Sequence, residues 1–513
     1  MTVHWLDRLV DAERSREADQ RAIQQHGISG EQLMEAAATG LADLVEREVP
    51  DGRIVVVSGK GNNGGDGIAL ARILRERGRE VDLARVFAES DWKGDSQTML
   101  SKLVGEPPVA FAPALLEGAS GIVDCLLGTG AVGAPKSPIA EVIEMINRSR
   151  LAGAKIVACD LPSGVESSTG VAAGEAVNAD ATATFDAEKI GLWIRPGKAL
   201  AGRVELIDIG IPKVADGFDC GLISDRVCQD LPRRSTDSDK FAAGEVVVAG
   251  GSPGLTGAPM LAALGAARGG AGYVAVALPE ELLEASDTVL ELMGIALASD
   301  GGNMSPLGVS QLIDRSRRAG AVVLGPGLGK TPSAAAFALS VAITIERPLV
   351  IDADAIGALA GSAAMLCERN APTVITPHAG EMAQLIGWTR AEVESRRMEA
   401  VRLAAAQSEA VVVLKGDDSL IADPAGAVAV SRGGAPALAT AGSGDILSGL
   451  IAALLAQGVE PFRAACAAVR IHLEAGRLAA ANGVDGVIAG DIVGSLRQAR
   501  SALSSSRSAR YGS

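Results

Sequence analysis

What most limits the fold of this chain is a twofold succession of short β-rich runs and helical patterns, interrupted once by a polar stretch at residues 212–240. In the first half the β-rich runs fall at 53–58, 81–87, 121–127, 155–160, 181–185 and 204–209. Helical patterns such as 67–77 and 139–150 separate most of them. In the second half they fall at 245–249, 272–277, 321–324, 348–352, 373–376 and 411–414. A hairpin of 419–422 and 427–431 follows, then helices at 445–457, 461–481 and 491–501. Parallel strands need crossover helices, so this alternation predicts an α/β chain with a doubly wound sheet in each half. An apolar spacing through Leu33, Met34, Ala37, Leu41 and Leu44 predicts helices over 11–47, ahead of the first sheet. The polar interruption reads as a join between two domains.

Composition narrows the core and the ligands. Of the 513 residues 48 % are hydrophobic but only 3 % are aromatic, so the cores must be built from Val, Ile, Leu and Ala. The net charge of −15 excludes a general nucleic-acid or membrane-surface binder, which needs an electropositive face. A small anion remains possible, because a helix N-terminus can hold phosphate through its N–H groups alone. The six cysteines form no C-x-x-C pair, which speaks against a disulfide framework or a zinc site. The N-terminus lacks a signal-type apolar region, and no run of about 18 apolar residues occurs. A cytoplasmic location and a homo-oligomer are expected.

In the first half, the loop at 59–67 carries Gly59, Gly61, Asn62, Asn63, Gly64, Gly65, Asp66 and Gly67 between a strand and a helix. Read loosely, Gly59, Gly61 and Gly64 match the dinucleotide-binding pattern G-x-G-x-x-G, with Asp82 near the expected acidic position, a weak signal when alone; the strand–helix alternation is what makes a Rossmann-like three-layer sheet the expected fold. The plain alternative is a tight turn, which does not need the Asn-Asn and Gly-Gly-Asp that follow. Three more clusters sit at strand ends, where open α/β sheets place ligands. They are Asp124 with Gly128–Ala134, Asp160 with Ser163, and the stretch 185–191 containing Lys189. A single strand-end Asp is usually a helix cap; two beside two glycine-rich loops on one sheet edge point to a site.

In the second half, glycine-rich strand ends recur at 250–258, 324–329, 376–381, 414–416 and 440–445. The last is the most informative: Gly442, Ser443 and Gly444 open a helix and present N–H groups to an anion, with Asp445 placed as a base beside a phosphoryl group. The stretch 325–331 imitates a Walker A loop but has three residues between its outer glycines, where four are needed, and Pro332 follows. His378 sits in Thr-Pro-His-Ala-Gly-Glu beside Glu381, a setting that argues for more than a structural histidine.

On these residues the first half resembles the NAD(P)H-hydrate epimerase domain, over about 1–215. The second half resembles the ADP-dependent NAD(P)H-hydrate dehydratase, a ribokinase-like enzyme, over about 240–500. The resemblance implies an epimerase domain at 1–222, a dehydratase domain at 223–501 and a disordered tail at 502–513. It implies that Asn62, Asn63, Gly64, Gly65 and Asp66, together with Gly128, Thr129, Gly130, Ala131, Val132, Gly133 and Ala134, bind the hydrated nucleotide. Asn63, Asp124 and Ser163 would hold a potassium ion, and Asp160 would contact substrate as acid or base. In the second domain Ala258, Gly327, His378 and Asp445 would touch the hydrate. Lys415, Gly416, Asp417, Asp418, Ser419 and Gly444 would hold ADP or ATP with Mg²⁺. The chain departs from the family pattern at 33–38, where Ala replaces a usual Gly, at Asp239-Lys240 for His-Lys, and at Ala441 for Gly.

The implied function is repair of hydrated NADH and NADPH (NADHX and NADPHX): epimerisation of the two hydrates by an isomerase, and nucleotide-dependent dehydration by a lyase. The alternative is a ribokinase-like small-molecule kinase with a nucleotide-sensing N-terminal domain; rapid phosphorylation of a stable alcohol would mark it.

Overall fold

The computed structural model describes residues 4–213, 219–233 and 243–505. The chain forms two compact units. One spans Arg8–Cys220; the other runs from Gly221 onward and also takes in Trp5, Leu6 and Asp7.

The first unit holds a seven-stranded sheet, parallel throughout. Its order is Val109–Ala110, Val81–Arg85, Ile54–Ser58, Gly121–Cys125, Lys155–Cys159, Ala181–Phe185 and Arg203–Ile207. The chain begins the sheet in its interior with Ile54–Ser58, builds outward to one side, then returns to Gly121–Cys125 on the other. That reversal opens a crevice at the carboxyl ends of these two strands, in register at Val57 and Asp124. Both strands are buried along their whole length, which is why they read as apolar runs, interrupted only at Asp124 and closed by Ser58. Helix Gly30–Glu48, started by a capping box of Ser29 and Gln32, packs Leu33, Met34, Ala37, Ala38, Leu41 and Leu44 into the core on one face. Helix Ile139–Leu151 covers the other face through Val142, Ile143 and Ile146. Ala38 is fully buried there, so the helix accommodates alanine where the family pattern has glycine.

The second unit holds seven parallel strands in the order Met293–Leu297, Tyr273–Pro279, Glu245–Ala249, Ala321–Leu324, Leu349–Ile351, Thr373–Ile375 and Val411–Leu414. Leu420–Ala422 and Val428–Val430 extend it antiparallel, as the hairpin pattern anticipated. Helices Gly257–Arg268 and Ser443–Ala456 lie backbone to backbone: a Cβ on Gly449 would sit 1.8 Å from the Ala262 carbonyl oxygen, and one on Gly265 2.4 Å from that of Ile446.

Several elements differ from the sequence expectation. Helix Asn62–Glu76 starts five residues before 67, so Asn-Asn-Gly-Gly-Asp is its first turn and not a loop. Tight packing outweighs the poor helix propensity of the glycines. Met293–Leu297 was unforeseen because it is an edge strand whose residues are mostly exposed. The join at 212–240 contains the short strand Cys220–Ile223 and a turn at Asp225–Cys228; residues 214–218 and 234–242, including Asp239 and Lys240, lie outside the described residues. The closing helix Ala489–Ser505 continues past 501, so 502–505 are helical and not tail; 506–513 lie outside the described residues. Among the described residues no helix is long and apolar enough to cross a membrane.

The largest surprise is the start of the chain. Trp5 is 5 % exposed and meets Phe462 at 5.8 Å between ring centroids. Its carbonyl accepts hydrogen bonds from the Ser224 N–H at 3.2 Å and Oγ at 2.8 Å. Asp7 pairs with Arg226 at 2.5 Å and Arg432 at 3.1 Å. The second unit is thus stapled by residues more than 200 positions away in sequence. Trp5→Ala opens a cavity at this contact and should cost about 3 kcal/mol locally. Faster amide exchange is expected in peptides covering 220–228 and 461–472, with 54–76 unchanged. Wild-type protection of 461–472 would show that the staple carries no stability.

Candidate active sites

In the first unit, helix Asn62–Glu76 begins at the end of strand Ile54–Ser58 after Gly61, whose cap position carries no side-chain hydrogen bond. Most glycines here answer to packing. A Cβ on Gly59 would lie 2.0 Å from the Leu126 carbonyl oxygen, one on Gly64 2.0 Å from that of Gly59, and one on Gly67 2.9 Å from Cys125 Cβ. Gly61 instead faces open space. Trp92 Nε1 donates to the Gly59 carbonyl at 2.6 Å and Ser96 Oγ to that of Gly61 at 3.1 Å. Neither clamp had a sequence signal. The dinucleotide fingerprint fails at Asp82: it lies near the start of its strand, opposite Val55, and pairs with Arg53 at 2.6 Å.

Asn63, Asp124 and Ser163 come together. Asp124 is fully buried; Oδ1 accepts from Ser163 Oγ at 2.7 Å and Oδ2 from the Ser163 N–H at 2.8 Å. The Leu127 N–H donates to Ser163 Oγ at 2.9 Å, and Asn63 Nδ2 to the Leu127 carbonyl at 2.8 Å. Burial pushes the Asp124 carboxyl up to about 6 against the opposing hydrogen bonds of Ser163. The segment 128–134 lies beside them, with Gly128 next to Asn63 and Val132 82 % exposed. Glu166, unnoticed in the sequence, anchors it by accepting from the Gly133 N–H at 2.9 Å.

Asp160 follows strand Lys155–Cys159 with φ +64°, a left-handed conformation that is unusual for a residue with a side chain. Its Oδ1 accepts from Lys189 Nζ at 2.5 Å, Thr184 Oγ1 at 3.2 Å and the Phe185 N–H at 3.2 Å. Lys189 is 1 % exposed, and its backbone pairs with Val10. Asp66 faces this pair. Burial first, then the charges of Asp160 and Asp19, hold its carboxyl well above the usual range, with Lys189 opposing.

In the second unit the loops at 250–258 and 325–329 interlock. The Gly251 N–H donates to the Pro326 carbonyl at 3.0 Å and Ser252 Oγ to that of Gly327 at 2.9 Å. A Cβ on Gly327 would lie 3.3 Å from Ala258 Cβ, so these two expected substrate contacts are neighbours. The Gly329 N–H donates to Asp354 at 2.9 Å. Gly329, Lys330, Asp354, His378 and Glu381 line a cavity of about 310 Å³. A larger groove of about 960 Å³, beside Glu35, Arg72 and Glu205 of the first unit, contains neither the glycine-rich loops nor Asp124, Asp160 or Lys189, so size does not mark the chemistry here. Thr331 caps helix Pro332–Thr344 by accepting from the Ala334 N–H at 3.2 Å, which disposes of the Walker-like reading.

His378 has a structural task after all. Its Nδ1 accepts from the N–H groups of Gly380 at 2.9 Å and Glu381 at 3.0 Å, capping helix Ala379–Ile386. With Nδ1 an acceptor, the neutral ring carries its proton on Nε2, and the side chain is 60 % exposed. Asp417 and Asp418 also turn to the protein. Asp417 accepts from the Gly434 N–H at 2.7 Å, and Asp418 forms a buried pair with Arg397 at 3.0 Å. Their carboxylates shape the loop, and Ser419 closes it by accepting from the Gly416 N–H at 3.1 Å. The sequence had offered no sign of Arg397.

Lys415, Gly444 and Asp445 converge. Lys415 Nζ lies 2.9 Å from Asp352 and 3.7 Å from Glu381, and a Cβ on Gly444 would be 3.4 Å from it. Gly442, at φ +86°, supplies the left-handed turn that starts helix Ser443–Ala456, while Ala441 is exposed; alanine there disturbs nothing. Asp445, in the first turn, is pushed up to about 7 by burial and then by Asp352, with Lys415 opposing. Among the described residues no group of three His, Cys, Asp or Glu side chains is arranged to hold a metal.

The family described as YjeF-related protein N-terminus matches residues 30–191, and that described as NAD(P)H-hydrate dehydratase matches 246–497. The bifunctional NAD(P)H-hydrate repair enzyme of Moorella thermoacetica is 38 % identical over 94 % of this chain and 95 % of that one. Its counterpart in Salinibacter ruber is 36 % identical over 88 % and 89 %. The crystal structure of the ADP/ATP-dependent NAD(P)H-hydrate dehydratase from Bacillus subtilis, co-crystallized with ATP/Mg²⁺, is 28 % identical; it covers 55 % of this chain and 98 % of its own at a TM-score of 0.49. With relatives of this identity matched over nearly their full length, the chain belongs to the family of bifunctional NAD(P)H-hydrate repair enzymes.

Proposed function

We propose that the chain repairs hydrated NADH and NADPH, epimerising the hydrates in the first unit and dehydrating the S hydrate in the second. The observation that carries the reading is Asp445, a raised carboxyl in the first turn of a glycine-started helix, beside the partly buried Lys415.

The substrate carries a hydroxyl on the ring carbon next to the ring nitrogen. Hydroxide leaves poorly; a phosphorylated hydroxyl leaves easily, pushed by the nitrogen lone pair. Asp445 takes the hydroxyl proton, and the N–H groups behind Gly442 meet the charge that develops on the phosphoryl oxygens. Lys415 neutralises charge at the same place. Ala258 and Gly327 offer a small-residue floor for the ring, and His378 Nε2 a donor at the rim. Gly416, Ser419 and Gly444, with the loop that Asp417 and Asp418 brace, suit an adenine nucleotide, ADP or ATP with Mg²⁺, which supplies the phosphoryl group when bound.

In the first unit Asp160 is the acid or base, oriented by Lys189. Asp66, whose carboxyl burial and the charges of Asp160 and Asp19 raise above the usual range, is the candidate complementary partner. Loops 62–66 and 128–134 embrace the nucleotide. The oxygens of Asn63, Asp124 and Ser163 form a hard donor set that suits potassium, which would supply a fixed positive charge beside the substrate.

Asp445→Asn should lower dehydration at least about 10²-fold, the lower end for a lost general base. The wild-type kcat/KM should fall as pH drops through about 7, because Asp445 is proton-bearing below that value. Since its ionised form is disfavoured in the fold, the Asn variant should melt no lower than wild type at pH 8. Following NADHX loss by recovered dihydronicotinamide absorbance checks the first two, and a thermal melt checks the third; near-normal turnover in the folded variant sinks the assignment. Asp160→Asn should cut interconversion of the R and S hydrates by about 10²–10⁴-fold while dehydration of the S hydrate continues. Chromatography of the two hydrates reads this directly, and unchanged interconversion would make Asp160 a purely structural residue.

A further inference from the structure

Behind the Gly-Ser-Gly turn stands a histidine to which neither the motifs nor the proposed chemistry gives a task. His472 lies on helix Pro461–Ala479, 5 % exposed, with Nε2 3.3 Å from Ser443 Oγ. Ser443 is the first residue of the helix that carries Asp445, between Gly442 and Gly444. Packing does not explain a histidine here. Its neighbours on the buried face of its own helix are Ala464, Ala465, Ala468, Ile471 and Leu473, and a leucine would extend that face without burying a polar ring. Burial and then the charge of Lys415 push the imidazole down to about 4.

We infer that His472 is a positioning residue for the dehydration step: its Nε2 hydrogen bond to Ser443 fixes the Gly442–Gly444 turn, and through it the N–H groups and the Asp445 carboxylate that meet the reacting phosphoryl group. The inference rests on the dehydratase reading above. In either tautomer the ring pins the same hydroxyl, as donor or as acceptor, and being neutral it brings no second cation to Lys415. The turn needs such a pin because Gly442 and Gly444 place no Cβ against their surroundings to hold it, and the helix has no side-chain cap. Small displacements of a reacting group can cost about 10²-fold.

The test compares His472→Leu, His472→Gln and Ser443→Ala in the full chain, with NADHX and ADP or ATP. Glutamine returns an amide near the Nε2 position, able to donate or accept. His472→Leu should fold with a Tm at or above wild type and lose about 10–100-fold in kcat, with KM for the nucleotide within about 3-fold. His472→Gln should recover most of the loss. Ser443→Ala should match His472→Leu, and the double variant should lose no more than either single one. Wild-type kcat in folded His472→Leu overturns the proposal, as does a His472→Gln variant no better than the leucine. Should the leucine variant not fold, Ser443→Ala decides, and an undiminished kcat there overturns it equally. Wild-type enzyme is the reference: absence of its turnover overturns the dehydratase reading, whereas normal wild-type turnover with an unaffected His472→Leu overturns this inference alone.

Discussion

The constraint on which both sites depend is steric: at the strand ends, backbone meets backbone with no room for a Cβ. In the first unit Gly59 presses on Leu126 and Gly64 on Gly59. In the second, a Cβ on Gly250 would lie 2.1 Å from the Pro326 carbonyl oxygen and one on Gly325 1.9 Å from that of Asp352. These approaches draw each helix start onto the edge of its sheet and bring successive strand-end loops into one crevice. Without them the carboxylates and lysines would stand on separate loops.

On that frame both units use the same electrostatic device, a largely buried lysine among several carboxyls. Lys189 serves Asp160 with Asp66 and Asp19 nearby; Lys415 serves Asp352 with Glu381 and Asp445 nearby. In each cluster one acid is tied to the lysine by a hydrogen bond, and another, less directly compensated, is raised above the usual carboxylate range. Like groups whose surroundings push them apart in acidity suit acid–base chemistry at neutral pH. The lysine also makes burial of so many carboxyls tolerable, because each would otherwise pay its desolvation alone.

Several residues that read as ligand contacts turn out to carry structure as well. Asp418 is spent on Arg397, Asp417 on the Gly434 N–H, and the Nδ1 of His378 on a helix cap. These bonds give the loops one shape. What is left to face a ligand is mostly backbone N–H, the Lys415 ammonium and the His378 Nε2. That division suits a site for an anionic nucleotide in a chain of strongly negative net charge, since N–H groups attract anions without adding cationic residues.

The sequence by itself determined the two α/β units, nearly every interior strand, and the strand-end motifs that hold Asp124, Asp160, Lys415 and Asp445. These are local signals: apolar runs set strands, and glycine followed by a helical period sets the turn. Only the tertiary structure decided which side chains meet. Trp5 with Phe462, Arg397 with Asp418, Glu166 with Gly133, Lys189 with Asp160 and His472 with Ser443 join distant stretches, so no spacing along the chain announces them. It likewise decided that Asp82 stands away from the glycine loop, because register places a residue near the start of its strand at the far end of the sheet. The raised carboxyls of Asp66 and Asp445 belong to the same class, since burial and neighbouring charge exist only once the chain has folded.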